Sequence, residues 1–470
     1  MKKIINLIIG PLLFIICCLL LPSSIFNTLA AKAAVGTILW MAYWWVTRPL
    51  DLAVTSFLPI AINSVITMDS MSNVISNYFS ETIILLFGSS ILSVSMEISG
   101  LDKRIAARFL GSIGGNVRFQ LVFWFMLSTL LSAVLPNAVV CATITPIAVS
   151  MLKFAGEGDI KNSKIGSKIL LYIAYGVGVG GLFSPLGGAM NLVTVDYLQQ
   201  VSGQEFMYIG WVIRFLPIMI ILIASNIIYM LRDVKKEDSL LKSKEYFEEE
   251  YKKLPIITKE EKNSLILFII ATVLAFTRSI YQQFLPGLKP AYVFLICAIL
   301  SFFITNKNKE RIMNWKTVQG KIVWELIFVF AGGLAAGTII NNSGAANAIG
   351  TIVSNVGLSG NLVMVFAIIT ITLVLSDVTS NTATASVALP IVISIAQGLN
   401  LNPIPWIYIA TIGVNLSYCL PTSIRAIPVG YGLEPKYMLK EGWKLSIIVI
   451  VLMTLTAYVL LKYFPLFSCI

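Results

Sequence analysis

Two short polar clusters interrupt long apolar stretches and carry the side chains best suited to chemistry. The first is Leu135-Pro136-Asn137-Ala138, and the second is Thr379-Ser380-Asn381-Thr382-Ala383-Thr384. Where a helix breaks, its free backbone N–H groups and its positive N-terminus can receive a carboxylate. Amide, hydroxyl and carbonyl oxygens can coordinate a hard cation such as sodium. Membrane helices also use these residue types for packing, so either cluster alone is compatible with a structural role.

Two stretches rich in Gly or Pro follow the clusters. Gly176–Asn191 contains six glycines, and Pro421–Pro428 contains Arg425. Such sequences predict unwound backbone, which is tolerated at membrane depth where it lines a cavity. An arginine at that depth is costly and usually faces a pathway or a partner. Two interpretations stay open: its guanidinium binds a substrate carboxylate, or it pairs with Asp377.

The elements that position these residues must be membrane helices. The chain has 470 residues, 57% hydrophobic and 12% charged, with a mean hydropathy of +0.85, which excludes an ordinary soluble protein. It contains no histidine, which excludes a Ser-His pair and a His-ligated metal. The six cysteines lack metal-ligand spacing, so no cofactor is expected apart from sodium. The net charge of +11 has no compact basic domain behind it, so nucleic acid is not an expected partner.

Hydropathy predicts an all-α polytopic membrane protein of about eleven transmembrane helices plus two re-entrant helical hairpins. Two apolar pairs, 119–153 and 361–397, are each broken at the midpoint, and arms of 10–15 residues are too short to cross a bilayer. The first apolar run after Lys2-Lys3 is compatible with a secretory signal, but another apolar segment follows at once, which favours a first span. The expected spans are 4–21, 33–47, 50–67, 81–101, 165–194, 210–231, 263–283, 289–305, 321–341, 404–430 and 445–462.

Charge placement predicts the orientation. With a cytoplasmic N-terminus, the inner loops hold 28 of the 34 Lys and Arg residues, which is the positive-inside pattern of an inner-membrane protein. An odd number of spans then leaves the C-terminus outside. Residues 1–231 form a first half and 263–470 a second. The charged segment 232–262 reads as a solvated cytoplasmic connector rather than a regulatory tail or nucleotide site, since no Gly-rich phosphate loop is present.

The two halves repeat each other. At an offset of 244 residues Glu81 falls on Glu325, Asn137 on Asn381 and Pro146 on Pro390, while an offset of 236 aligns the broken helices 165–194 and 404–430. Under the predicted orientation the hairpins enter from opposite sides, so the repeat is inverted. Inverted repeats with discontinuous helices are typical of alternating-access transporters, whose broken helices meet at a midplane site.

The repeat, the Ser380-Asn381-Thr382 tip and Trp44-Trp45-Val46-Thr47 before a polar turn resemble the divalent anion/sodium symporter family, over nearly the whole chain. The resemblance implies a homodimer that moves di- or tricarboxylates or sulfate by an elevator motion. It also implies that two Ser-Asn-Thr motifs and two Thr-Pro-Pro-Asn-like turns bind substrate and sodium. In the first motif, Pro136 and Ala138 replace the serine and threonine. The turns read Gly188-Ala189-Met190-Asn191 and Ile424-Arg425-Ala426-Ile427.

These matches define the predicted site. The expected substrate-binding residues are Asn137, Ala138, Gly188, Asn191, Ser380, Asn381, Thr382, Thr422, Ser423 and Arg425. The expected sodium ligands are Ser132, Asn137, Ser376, Thr379, Ser380 and Asn381. Because Pro136 lacks both a hydroxyl and an N–H, and Arg425 adds a fixed positive charge, we expect weaker sodium dependence than in relatives, or anion exchange.

The leading hypothesis is therefore a secondary carrier for C4-dicarboxylate-like anions, as symporter or exchanger, whose partners are a carboxylate, membrane lipid and a second copy. The alternative is a channel-like permease or a membrane-embedded enzyme. The absence of histidine removes two of the three known intramembrane protease designs. Two broken hairpins at one site favour occlusion over conduction.

Overall fold

The structure is a computed structural model that describes residues 2–102, 104, 105, 115–234, 240, 245, 246, 249, 256–354 and 361–470. Within these ranges all regular elements are helices, apart from an isolated antiparallel bridge between Thr305 and Arg311. Six of the described helices are long and apolar enough to cross a membrane, and five more apolar helices have 10–17 residues. The prediction of an all-α polytopic membrane protein is confirmed.

The first half contains eleven described α-helices and two short 3₁₀ helices, Asn77–Phe79 and Pro185–Gly187. Several begin at a side-chain cap, such as Thr28, Ser80, Asn116 and Ser163, whose oxygen accepts a first-turn N–H. They are α1 (Lys2–Leu20), α2 (Leu29–Thr47), α3 (Leu52–Thr55), α4 (Leu58–Asn63), α5 (Met71–Ser76), α6 (Glu81–Ser99), α7 (Val117–Ser132), α8 (Asn137–Phe154), α9 (Lys164–Gly181), α10 (Ala189–Ser202) and α11 (Tyr208–Leu231).

The second half also contains eleven described α-helices, and most of the predicted connector 232–262 lies outside the described residues. They are α12 (Lys259–Phe276), α13 (Arg278–Tyr281), α14 (Pro290–Ser301), α15 (Trp315–Gln319), α16 (Trp324–Asn342), α17 (Ala345–Ser354), α18 (Leu362–Val378), α19 (Asn381–Gly398), α20 (Pro403–Asn415), α21 (Ala426–Gly430) and α22 (Pro435–Tyr463).

The helix bounds differ from the predicted spans in several places, among them the span 50–67 and the hairpin arms. The expected span 50–67 is two short helices, α3 and α4, and Pro59 lies in the first turn of the second. The hairpin arms α7, α8, α18 and α19 have 16, 18, 17 and 18 residues, which is longer than the predicted 10–15. The arms are longer because each helix continues past its apolar run, and α8 and α19 even pass through a proline.

The two halves pack against each other in a reciprocal way. Helix α6 lies against α14 and α16 against α3, so each half supplies a long helix to the other half's shorter helices. A glycine permits each approach: a Cβ on Gly88 would lie 2.8 Å from the backbone nitrogen of Leu295, and one on Gly332 would lie 2.5 Å from the carbonyl oxygen of Ser56. Gly88 and Gly332 are 244 residues apart, as are the first residues of α8 and α19.

Candidate functional site

A cleft lies where the two hairpin tips meet. It has an empty volume of about 490 Å³, part of which is open to solvent. Its polar lining comes from the first residues of α8 and α19 and from Ser423, and none of the lining side chains is charged. The lining residues are Pro136, Asn137, Ala138, Gly188, Ala189, Met190, Leu326, Asn381, Thr382, Ser423 and Ile424.

The first tip gathers oxygen atoms behind the cleft. The Ser132 hydroxyl lies 2.7 Å from Oδ1 of Asn137 and 2.9 Å from the carbonyl oxygen of Val177. Ser132 is fully buried, and Asn137 is 8% exposed. Gly181 leaves room for the amide, because a Cβ there would lie 2.5 Å from Nδ2 of Asn137. The cluster thus contains hydroxyl, amide and backbone oxygens without a charged group.

The second tip builds an equivalent cluster. The Ser376 hydroxyl donates to the carbonyl of Val414 (2.6 Å), and Ser417 Oγ lies 3.2 Å from both Ser376 Oγ and Oδ1 of Asn381. Nδ2 of Asn381 lies 3.4 Å from the carbonyl oxygen of Asn415. All the acceptors are again neutral oxygens. Ser132 with Asn137 and Ser376 with Asn381 therefore occupy matching places in the two halves.

The broken helices α9 and α20, which lie behind the tips, also match each other between the two halves. The sequence offset between them differs from the predicted one. A Cβ on Gly176 would lie 2.5 Å from the Phe125 carbonyl oxygen, and one on Gly413 would lie 2.7 Å from that of Ile369. Since Phe125 and Ile369 differ by 244 residues and Gly176 and Gly413 by 237, the broken helices align at 237. The predicted offset of 236 is wrong by one residue at this contact.

The glycines of the first broken helix have a different role from the predicted one. Helix α9 runs without a break to Gly181, and the chain unwinds only over 182–188, with a 3₁₀ turn at Pro185–Gly187. The prediction of unwound chain from Gly176 is therefore wrong. Gly176 and Gly180 instead let α9 lie directly on the backbone of α7. Their lack of a side chain serves close packing rather than backbone freedom.

Asn191, a predicted substrate ligand, holds the first break together. Its Nδ2 donates to the carbonyls of Gly181 (2.6 Å) and Ser184 (2.8 Å), and its Oδ1 accepts from Asn415 Nδ2 at 2.9 Å. Thr194 and Thr411 add a hydroxyl contact of 2.9 Å between α10 and α20. Asn191 is fully buried and does not line the cleft. The structure therefore gives it a positioning role, joining the two broken helices.

Arg425 is buried, with 1% of its surface exposed, and it does not line the cleft. Its guanidinium donates to the carbonyls of Leu420 (2.9 Å) and Ser417 (3.1 Å) and to the Thr422 hydroxyl (2.8 Å). The Thr422 hydroxyl in turn donates to the backbone carbonyl of Asp377 at 2.9 Å. Neither interpretation of the sequence describes this arrangement. The guanidinium instead holds the unwound segment that precedes Arg425 in the chain.

Asp377 completes that network from the end of α18. Its carboxylate accepts the backbone N–H of Cys419 at 2.9 Å, and no ion pair to Arg425 within 4.0 Å occurs among the described residues. The aspartate is 5% exposed. The aspartate and the arginine therefore anchor the segment from its two ends.

The remaining predicted residues divide between the cleft and the hairpin itself. Thr382 and Ser423 line the cleft, together with Ala138 and Gly188. Ser380 caps α19 by accepting the N–H of Ala383 at 3.1 Å. The Thr379 hydroxyl lies 2.8 Å from the Leu375 carbonyl oxygen and 2.7 Å from the Thr384 hydroxyl. Ser380 and Thr379 therefore shape the tip from within.

Sequence reasoning missed Ser417 and the carbonyls of Val177 and Val414. Asn415 and Ser417 are the polar residues that end the apolar run of α20, and they mark the start of the unwound segment. The prediction placed this start at Pro421, four residues after Ser417. Backbone carbonyls carry no residue-type signal. Leu326, a cleft residue from α16, is one apolar residue among many in its helix.

Comparison with known proteins identifies the family. The sequence pattern of the citrate transporter family matches residues 42–413. The sodium-dependent dicarboxylate transporter SdcS of Staphylococcus saprophyticus subsp. saprophyticus is 30% identical over 477 residues, covering 97% of this chain and 91% of that protein. The chain belongs to the divalent anion/sodium symporter family. The resemblance predicted from the tips and the repeat is confirmed, and membership of the family identifies a transporter rather than an enzyme.

A further relative and one solved structure are also similar to this symporter-family chain. The sodium-dependent dicarboxylate transporter SdcS of Staphylococcus aureus strain NCTC 8325 is 27% identical over 474 residues, covering 97% of this chain and 91% of that protein. The crystal structure of the Alcanivorax borkumensis YdaH transporter superposes with a TM-score of 0.56 at 11% identity, covering 84% of this chain and 88% of that one. At this identity the second likeness concerns the fold alone.

Proposed function

We propose that this protein is a sodium-coupled symporter for C4-dicarboxylates, working by an elevator-type alternating-access mechanism. The observation that carries the proposal is a cleft with no charged lining, bounded by two helix N-termini and backed by two equivalent oxygen clusters. The relatives named sodium-dependent dicarboxylate transporters support the same substrate class and coupling ion.

The helix N-termini give the cleft its preference for anions. Helices α8 and α19 each have 18 residues and begin at Asn137 and Asn381, so both direct free N–H groups to the cleft. Each terminus carries a partial charge of about +0.5, which suits the two carboxylates of a small dianion. The Asn137 and Asn381 amides and the Thr382 hydroxyl supply further hydrogen bonds. Recognition therefore rests on dipoles and neutral donors.

Sodium supplies the charge that the lining lacks. Two partial charges balance only about half of a dianion, and no cationic side chain lines the cleft. Neutral amide, hydroxyl and carbonyl oxygens are ligands for a hard cation. We assign one sodium site to Ser132, Asn137 and the Val177 carbonyl, and a second to Ser376, Asn381, Ser417 and the Val414 carbonyl. Since Asn137 and Asn381 belong to both cation cluster and cleft, ion and substrate binding are coupled.

The contact between α10 and α16 indicates how access is controlled. A Cβ on Gly337 would overlap the Tyr197 hydroxyl, and Thr82 donates to Asp196 at 3.1 Å nearby. Leu326, which lines the cleft, lies at the other end of α16. With the orientation proposed from charge placement, N-terminus cytoplasmic and C-terminus outside, the tight contact closes the outer side. We assign this arrangement to the inward-facing state of the proposed carrier, a homodimer whose scaffold helices stay fixed.

Uptake into proteoliposomes tests the proposal. Wild-type protein should accumulate labelled succinate against an inward sodium gradient and not in choline. Asn381→Ala should abolish uptake, because it removes one side chain from both the substrate cleft and the second sodium site. Ser376→Ala should raise the sodium concentration for half-maximal uptake and leave the succinate KM at saturating sodium within about twofold. Succinate counterflow that is equally fast in choline would refute sodium coupling and indicate exchange. Non-saturating flux would indicate a channel-like permease.

A further inference from the structure

A second recess lies away from the cleft, at the N-terminal ends of α7 and α9. It has an empty volume of about 280 Å³ and combines apolar walls with two lysines. Charge placement assigns these helix ends to the cytoplasmic side. The recess is lined by Val117, Leu121, Lys164, Ile165, Lys168, Asp233 and Val234.

Lys168 is the unusual member of this group. It is 94% buried and makes no hydrogen bond and no ion pair within 4.0 Å among the described residues, although it lines the recess. An ammonium group loses hydration when it is buried, so it needs a partner to be stable there. Lys164, one turn earlier on the same face of α9, adds a second positive charge to the same wall.

The described carboxylates next to the recess, Asp233 and Glu441, already have hydrogen-bond partners. Arg232 Nε donates to Asp233 at 3.0 Å, and its second nitrogen donates to Glu441 at 2.9 Å. Glu441 also accepts the Tyr229 hydroxyl at 3.1 Å. The hydrogen bond from Arg232 lowers the pKa of Asp233, so that carboxylate is ionised and balanced by the guanidinium. Among the described residues, Asp233 and Glu441 therefore give the buried Lys168 only part of a counter-charge, whereas Lys164 is exposed to solvent.

Two helix N-termini add to the positive potential of the recess. Helix α7 begins at Val117 and α9 at Lys164, and neither has an acidic residue in its first turn. Arg118 donates to the Val234 carbonyl at 2.9 Å and so lies at the same wall. Lysines at a helix N-terminus are unfavourable next to the positive end of the dipole. A bound anion would relieve this repulsion and pair with the buried ammonium.

We propose that this recess binds a phosphate-type oxyanion, presented by an anionic phospholipid headgroup or by free phosphate. A tetrahedral oxyanion can accept hydrogen bonds from two ammonium groups and from helix N–H groups at once. The apolar side chains Val117, Leu121, Ile165 and Val234 suit the non-polar part of a lipid next to its headgroup. Because α7 and α9 support the first tip, the bound anion stabilises the carrier independently of its substrate.

The test uses the purified full-length chain in nanodiscs of phosphatidylcholine. One arm adds phosphatidylglycerol to the lipid, and the other adds inorganic phosphate to the buffer, with thermal unfolding and native mass spectrometry as readouts. Lys168→Gln and Lys164→Gln should weaken binding roughly tenfold or more, because each removes a charge-assisted contact. Lys168→Arg should retain most of it. Lys161→Gln is the matched control, since Lys161 is an exposed lysine just before α9.

The outcomes separate the two sources. Stabilisation of the wild type by phosphatidylglycerol alone assigns a lipid headgroup, and stabilisation by phosphate in both lipids assigns a free anion. Asp233→Asn should bind as tightly as the wild type or more tightly, because it removes a negative charge from the recess. The proposal is overturned if neither compound stabilises the wild type. It is also overturned if Lys161→Gln loses as much binding as Lys168→Gln, or if Lys164→Gln and Lys168→Gln keep full binding.

Discussion

Substitution of Arg425 by lysine distinguishes the structural role seen here from substrate binding. The guanidinium makes three hydrogen bonds, to the Leu420 and Ser417 carbonyls and the Thr422 hydroxyl. A lysine keeps the charge but cannot span three acceptors from one point, and we expect it to reach only one of them. A hydrogen bond to a charged group contributes about 1.5–3 kcal/mol. Loss of two such bonds therefore destabilises the protein by about 3 kcal/mol at the lower end of that range.

The assay compares thermal unfolding with uptake kinetics. At an unfolding entropy of about 2.1 cal/mol/K per residue, about 3 kcal/mol corresponds to a Tm lower by roughly 3 °C for a 470-residue chain that unfolds as one unit. We expect this loss of stability in Arg425→Lys, while the folded fraction keeps a succinate KM close to that of the wild type. Ser423→Ala is the matched control, because Ser423 lines the cleft two residues away. It should raise the KM and leave the Tm unchanged. A raised KM with an unchanged Tm in Arg425→Lys would refute the reasoning and place the guanidinium on the substrate.

Two further predictions concern the moving parts. Gly337→Ala should abolish uptake at normal expression, because the added methyl overlaps the Tyr197 hydroxyl and prevents the α10–α16 contact. Adding Tyr197→Phe to this variant should restore part of the uptake. An absence of rescue would mean that the hydroxyl is not the obstacle. We also expect a homodimer whose interface excludes the hairpins 119–153 and 361–397, measured by native mass spectrometry and cross-linking; a monomer, or cross-links between hairpin tips, would contradict it.

Much of the architecture could be predicted because a repeated sequence imposes the same breaks twice. Asn137 and Asn381 begin helices 244 residues apart, as the alignment implied, and Gly88 and Gly332 make equivalent contacts. The failures have a common physical cause. A run of glycines has the same sequence signal whether the backbone unwinds or another helix packs closely, and only the neighbouring Phe125 backbone shows that Gly176 packs.

The site was harder to predict than the fold because some of its groups, such as the Val177 and Val414 carbonyls, belong to the backbone. Asn137, Asn381, Thr382 and Ser423 were expected in the cleft and line it. A position at membrane depth was expected for Arg425, yet the orientation of its guanidinium depends on where Leu420 and Ser417 direct their carbonyls. Side-chain type predicts which groups are available, and the local path of the unwound chain decides which direction they face.

The structure also changes the argument about sodium. The expectation of weak sodium dependence rested on Pro136 and Arg425. Pro136 lines the cleft, but the oxygen cluster of the first tip is made by Ser132, Asn137 and the Val177 carbonyl, none of which involves residue 136. The Arg425 guanidinium donates its hydrogen bonds to the unwound segment that precedes it in the chain. A dianion in this cleft thus meets two partial helix charges and no cationic side chain, and a carrier with such a lining needs a bound cation to move it through a low-dielectric interior. We therefore expect sodium dependence to be retained.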